Sequence, residues 1–313
     1  MKIIIRNCNV AELDIPLKYA TKLYNEFAIR HPNAFYLRTR QRGMQNWDGK
    51  IKYITKTGQF KIGLLPSVYK RCIELGIKPI IVDMRQPLPK VSKVVTQIGK
   101  YKLRPEQEKA VKAILSNKLG ETPFQIGVLD YTVNAGKTLI MSALYLSYKK
   151  QLKTLLITND SDWLNQARDE FKQYLPGEDI TFVQGKVLNW SNFTIGMVQS
   201  ISRNMKYYQN ELAKIDMVLI DEADQGGSKQ YQNVITRLFN TRVRIGLSGT
   251  IYMSKLAKDK VKNMNLRCFF GDVIAEFKLK DSIKKGYSTK TIVKTVEGKP
   301  WFGNWESDCM SYN

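Results

Sequence analysis

The sequence has very few of the residues that hold most metal centres and disulfide frameworks. It has one histidine, His31, and four scattered cysteines, Cys8, Cys72, Cys268 and Cys309, with no CxxC spacing. A Cys/His zinc site and a disulfide scaffold are therefore not expected, and reduced thiols point to the cytoplasm. Long apolar runs are missing too: none approaches the ~20 residues that cross a bilayer. Met1-Lys2-Ile3-Ile4-Ile5-Arg6 is too brief for a signal peptide. No membrane partner is expected. There is no internal repeat or low-complexity tract, while a hydrophobic content of 43% supports packed cores. The length of 313 residues suits about two domains.

Acidic residues are scarce, 28 against 50 Lys and Arg, for a net charge of +22. The imbalance is concentrated at the front. Residues 1–104 hold 21 basic and 6 acidic side chains, net +15, leaving 29 against 22, net +7, for the rest. So basic a small module exceeds what solubility requires, and a polyanion is its natural partner.

Periodicity divides the chain into a basic α+β domain (1–85), a linker (86–100), an α/β domain (101–275) and a tail (276–313). In the first, residues 1–6 suggest a strand and 15–30 a helix that stops at Pro32. Residues 51–54 and 60–64 flank Lys56-Thr57-Gly58 as a hairpin, and 79–82 return as a strand. Pro66 opens a short helix that Gly76 closes. Gln86-Pro87-Leu88-Pro89-Lys90 reads as an extended basic connector. Beyond Arg104, helices alternate with apolar strands at 124–129, 154–158, 193–198, 218–220 and 244–247. That alternation predicts a parallel sheet with helices on both faces.

Two of these strands end in chemistry. After 124–129 comes Asn134-Ala135-Gly136-Lys137-Thr138, and after 218–220 comes Asp221-Glu222-Ala223-Asp224. A Gly-Lys-Thr turn between strand and helix offers backbone N–H groups and an ammonium to phosphates, while the Thr138 hydroxyl reaches Mg²⁺. Asp221 is the expected metal contact, and Glu222 the expected base or water-positioning group for attack on a γ-phosphate. The combination describes a nucleotide triphosphatase using ATP and Mg²⁺. Tyr131 stands where the glycine-led loop has its first glycine, and Asn134 occupies another frequent glycine position, where its tolerance of left-handed backbone suits it. In the basic module, Arg38, Arg40, Arg42 and Lys50 surround Trp47, an arrangement that suits phosphate contacts and base stacking. Trp47 reads equally as a core anchor beside an ordinary Asp48-Gly49 turn.

The motif order resembles the first RecA-like domain of superfamily 2 helicases and translocases. Leu103-Arg104-Pro105-Glu106-Gln107 resembles the adenine-reading Q motif, which implies that Gln107, with Arg104 beside it, contacts the base. Thr132-Val133-Asn134-Ala135-Gly136-Lys137-Thr138 matches motif I, residues 221–224 motif II and Ser248-Gly249-Thr250 motif III, implying that Ser248 and Thr250 couple the ATP site to nucleic acid. Motif Ia is degenerate over 158–166, with Asn159 for the usual proline, but keeps Gln166; Gly196-Met197-Val198-Gln199-Ser200 resembles motif Ib. Gln166 and Gln199 would face a DNA backbone. Asn46-Trp47-Asp48-Gly49-Lys50-Ile51 and Leu64-Leu65-Pro66 add a resemblance to the UvsW-like branch-migration helicases of T-even bacteriophages, over roughly residues 1–290. That likeness implies DNA partners such as branched structures and single-strand/duplex junctions, and a host cytoplasm if the gene is phage-borne.

Segments 269–272 and 280–286 resemble the family's crossover, but the stretch around Trp301 has no strand–loop–helix repeat and no candidate for motifs IV, V or VI. A second RecA-like domain, with its arginine finger, is expected from elsewhere, a separate chain being one source. The competing readings are a DEAD-box-like RNA helicase, a non-catalytic DNA-binding protein with a relic nucleotide site, and a restriction-type translocase subunit, although no nuclease constellation is visible.

Overall fold

Ile3 and Ile5 are buried on one side of strand β1 (Lys2–Ile5) while Lys2 stays exposed, the alternation of a strand with one covered face. The computed structural model describes residues 1–290 apart from 42, 92, 188–189 and 253–256, so Arg42 and the segment around Trp301 lie outside the described residues. β1 pairs antiparallel with β2 (Val10–Asp14) and parallel with β6 (Ile80–Asp83), and β5 (Gln59–Lys61) completes a four-stranded sheet beside β2. Helix α1 (Leu17–Glu26) is shorter than its periodicity suggests. Ala28-Ile29-Arg30 leaves the helix to form β3 (Ala28–Arg30), paired with β4 (Lys50–Lys52) across α2 (Ala34–Arg40).

The expected hairpin at Lys56-Thr57-Gly58 is half right. The turn exists, with Gly58 N–H donating to Thr55 O at 3.0 Å, but its flanking strands join different sheets and share only an Ile54–Phe60 bridge. Ile62–Leu64 coils into a 3₁₀ turn ahead of α3 (Leu65–Glu74) instead of extending the strand.

Two small hairpins, β7 (Gln97–Ile98) with β8 (Tyr101–Lys102) and β9 (Lys118–Leu119) with β10 (Thr122–Pro123), bracket α4 (Pro105–Ser116). A seven-stranded, wholly parallel sheet follows. It is built from β11 (Ile126–Tyr131), β12 (Thr154–Thr158), β13 (Ile180–Val183), β14 (Phe193–Met197), β15 (Met217–Asp221), β16 (Val243–Ser248) and β17 (Val273–Phe277). Their order is β13-β14-β12-β15-β16-β11-β17. Helices α5 (Lys137–Ser147), α6 (Ser161–Tyr174), α7 (Val198–Arg203), α8 (Met205–Ala213), α9 (Lys229–Ile235) and α10 (Ala257–Phe270) connect the strands, and α11 (Leu279–Lys284) follows the last. Successive residues of β12 alternate between two cores: Leu155 and Ile157 join one hydrophobic cluster, Leu156 the other. The first of these clusters also contains Ile3, Ile5, Leu23, Leu65 and Val68, so the basic module and one face of the sheet share a core. No described helix is long and apolar enough to cross a membrane.

The module is also keyed to the sheet by arginines. Arg244, on β16, is 1% exposed and donates from Nη2 to Cys8 O at 2.8 Å and Asn9 Oδ1 at 2.9 Å, and from Nη1 to Phe269 O at 3.3 Å. Burial pulls its guanidinium down to about 10, so it is still a cation at neutral pH. At the entrance to β16, Arg242 pairs with Asp83 at 3.3 Å, and Asp83 also holds Arg85 at 2.8 Å. Gly63 lies so close to α10 that a β-carbon there would collide with the Arg267 carbonyl.

Truncating Arg244 would strand three buried acceptors, so Arg244→Ala should cost about 3 kcal/mol or more in denaturant unfolding. Arg244→Lys should fail to restore the loss, because an ammonium cannot span the fork of acceptors. An unchanged unfolding midpoint in Arg244→Ala would show that the Arg244 hydrogen bonds do not hold the module, and one in Arg244→Lys that the fork geometry is not needed.

Candidate functional site

Only β16 separates β11 from β15 in the sheet, so the tips of those strands stand about 10 Å apart and project from the same edge. From β11 the chain enters the loop, where Thr132 and Ala135 are buried and Val133 faces outward. Asn134 takes a left-handed backbone with φ 63°, as expected of an asparagine replacing glycine, and Gly136 follows at φ 71°. A β-carbon at Gly136 would collide with Gln107 Nε2, so glycine is needed there for space as well as conformation. α5 begins at Lys137, directing its unpaired N-terminal N–H groups and positive dipole end at the loop. Tyr131 is a core residue closing the base of the loop: it is fully buried and its hydroxyl donates to Glu106 O at 2.8 Å.

Lys137 reaches across to the tip of β15. Its Nζ lies 3.5 Å from Glu222 Oε1 and 3.8 Å from Asp221 Oδ1. Asp221 is buried, and its Oδ1 has no hydrogen-bond partner. Burial pushes this carboxyl up to about 6, opposed by Lys137 and reinforced by Glu222. Glu222 holds a left-handed backbone, φ 49°, a strained conformation that turns its carboxylate toward the lysine. An orphaned anionic oxygen facing the Lys137 ammonium fits a hard cation. Among the described residues no cluster of three His, Cys, Asp or Glu could hold a metal by itself. A metal here would complete its shell from a triphosphate and water, as Mg²⁺ commonly does.

Motif II is wired to motif III. Ser248, fully buried at the tip of β16, donates to Asp224 Oδ1 at 3.0 Å, and its Oγ accepts from Thr250 N–H at 3.2 Å. Gln199 Nε2 donates to Asn159 O at 3.1 Å, and Asn159 Nδ2 to Gln225 Oε1 at 2.6 Å, so the degenerate motif Ia connects α7 to the turn after Asp224. Gln166 is exposed on α6 and bonded to Glu170 at 2.7 Å.

Gln107 is bonded to the loop that precedes α5. It is 2% exposed, its Oε1 accepts from Arg104 N–H at 2.8 Å, and its Nε2 donates to Ala135 O at 2.9 Å. In this arrangement the amide ties the start of α4 to the loop that precedes α5. Arg104 lies over the Tyr287 ring at 4.1 Å, with Asn134 O within 3.5 Å of Nη1. Tyr287 was not singled out in the sequence, and neither were Lys278 and Lys285, which pair with the buried carboxylates of Asp130 and Glu106. All three lie beyond β17, in or beside the segment read only as a crossover.

In the basic module, Arg38 and Arg40 are exposed on α2, and Lys50 is exposed at the start of β4. Trp47 is half-buried, with its indole N–H donating to Lys50 O at 3.0 Å and its ring against His31 at 5.9 Å.

A carboxyl whose pKa rises on folding binds its proton more tightly in the folded state. Stability is therefore undiminished below pH ~3.8, falls as pH rises toward 6, and stays reduced above it. That gap corresponds to about 3 kcal/mol. Asp221→Asn keeps the shape and removes the charge, so it should raise the unfolding midpoint at pH 8 and leave it nearly unchanged at pH 4. A midpoint at pH 8 equal to or below that of the parent chain would mean the carboxylate is well solvated or fully compensated.

Comparison with known proteins agrees with this architecture. Residues 100–253 match the family described as type III restriction enzyme, res subunit. A protein of Acanthamoeba polyphaga mimivirus, named as an ATP-dependent RNA helicase, is 26% identical over 147 residues, 47% of this chain and 27% of that protein. The ATP-dependent DNA helicase UvsW of Enterobacteria phage T4 is 23% identical over 272 residues, 80% of this chain and 51% of UvsW. The chain thus spans about half, or less, of the length of these curated relatives. A crystal structure of the phage T4 UvsW helicase superposes with a TM-score of 0.68 at 21% identity, covering 88% of this chain and all of that one. The fold is therefore RecA-like, preceded by a small α+β module, and residues 100–253 carry the match to the res-subunit family.

Proposed function

We propose that this chain is the ATP-binding portion of an ATP-dependent DNA helicase or translocase acting on branched recombination or replication intermediates. It works together with a second RecA-like domain. The observation that carries this reading is Lys137, held between Asp221 and Glu222 at the edge where the parallel strands end. An ammonium parked on two carboxylates is ready to exchange them for phosphate oxygens at little electrostatic cost. The backbone N–H groups of Asn134, Ala135, Gly136, Lys137 and Thr138 receive the triphosphate, with Thr132 and Val133 shaping the entrance. Thr138 and Asp221 would hold Mg²⁺, which would supply counter-charge to the triphosphate. Glu222 then orients the attacking water and accepts its proton.

Ser248, bonded to Asp224, and Thr250 beside it sense the acidic tip and carry its state along the sheet edge. Gln199 and Gln166 face the nucleic-acid backbone, while Arg38, Arg40 and Lys50 neutralise phosphates. The RNA-helicase reading draws support from the mimivirus relative, but that likeness spans 47% of the chain, whereas the likeness to UvsW spans 80%. A relic site is disfavoured by the joint placement of Lys137, Asp221 and Glu222.

DNA-stimulated ATP hydrolysis tests the proposal. With a second motor domain supplied, branched DNA should stimulate turnover more than single-stranded RNA, and the 313-residue chain alone should turn over slowly. Glu222→Gln should lower kcat about 10²-fold or more with little change in KM. Stronger stimulation by RNA would favour the RNA-helicase reading, and unchanged turnover in Glu222→Gln would remove the proposed base.

A further inference from the structure

We propose that Phe35 and Tyr36, on α2, form a stacking surface for unpaired bases, so that the basic module reads a single-strand/duplex junction and not phosphate charge alone. The inference rests on the reading of that module as DNA-binding. Phe35 is 80% exposed and Tyr36 53% exposed, adjacent rings left uncovered on a helix that buries only Ala34 among its residues. Soluble proteins rarely leave neighbouring large aromatic side chains open without a partner.

The helix is held from behind, which explains why the rings stay outside. Ala34 packs so closely on Gly49 that a β-carbon at 49 would lie 3.0 Å from Ala34 Cβ, and His31 N–H donates to Gly49 O at 2.8 Å. The Asp48 carboxylate fixes that turn by accepting from Lys50 N–H at 2.9 Å. α2 is thereby a braced, rigid platform, the arrangement in which an aromatic side chain stacks at low entropic cost.

Charge identifies the occupant. Between Glu26 and Asp48 the sequence has no acidic residue and four arginines. Arg38, Arg40 and Lys50 form no ion pair among the described residues, and the Arg40 guanidinium sits 5.0 Å from the centre of the Tyr36 ring. Exposed aromatic rings, one of them under the Arg40 guanidinium, beside cations with no acidic partner match a nucleic-acid strand, whose bases stack while its phosphates pair. An apolar protein partner would leave those cations buried without counter-charge.

The test measures binding of the full chain to forked, single-stranded and blunt duplex DNA across a salt series. Phe35→Ala and Tyr36→Ala should each weaken forked and single-stranded DNA about 5- to 150-fold, leaving blunt duplex binding and the salt slope unchanged. Phe35→Trp should retain affinity. Arg38→Ala should weaken all three DNAs and reduce the salt slope by about one. Equal losses on duplex and forked DNA, or no loss on any, would overturn the stacking role. So would aromatic variants that abolish self-association while binding DNA normally, since the surface would then belong to a second copy of the chain. Both side chains are exposed, so the substitutions leave the fold intact. If the parent chain binds no DNA of any form, the parent reading of the module fails as well, and that result is distinguishable from loss of fork preference.

Discussion

β11, β16 and β15 run side by side in one direction, and nearly all the chemistry of this chain depends on that constraint. Parallel strands deliver their C-terminal ends to a single edge. The lysine loop, Ser248 and the Asp221–Glu222 pair therefore meet, although Lys137 and Asp221 are 84 positions apart in sequence. Strand β16 has a second attachment. Its tip carries Ser248 to Asp224, while Arg242 and Arg244 near its start hold the amino-terminal module. One strand thus contacts both the acidic segment, at Asp224, and the basic module.

The acidic edge is electrostatically expensive and is kept so by its surroundings. Asp221 is buried with an oxygen that no donor meets, and Glu222 is held in a backbone conformation that few non-glycine residues adopt. Both carboxylates lie within 4 Å of the Lys137 ammonium. Stability spent at strand tips in this way is characteristic of sites built to receive a charged ligand.

How legible all this was in the sequence depended on burial. The four central strands β11, β12, β15 and β16 are covered on both faces, so each reads as an unbroken apolar run. The edge strands β13 and β17 are half-exposed, with Glu276 interrupting the second, and neither was anticipated. The phosphate loop and acidic tip were readable because each is a contiguous motif at a strand end. The bonds of the Gln107 amide to Arg104 and Ala135 were not legible, since what an amide bonds to depends on its three-dimensional neighbours and not on its local pattern. In the amino-terminal module, Ala28-Ile29-Arg30 follows helical periodicity but finds a partner in β4, and tertiary pairing wins. Exposed aromatics such as Phe35 cannot be told from core aromatics by residue type alone.

The most direct measurement is equilibrium binding of Mg·ATP to the purified chain, by calorimetry, in parent and Lys137→Ala forms. If Lys137 leaves its two carboxylates for the β- and γ-phosphates, the parent chain binds, the variant loses at least tenfold in affinity, and omitting Mg²⁺ weakens the parent. Identical affinities in the two forms, or none in the parent, would contradict the assignment of this edge as a nucleotide site.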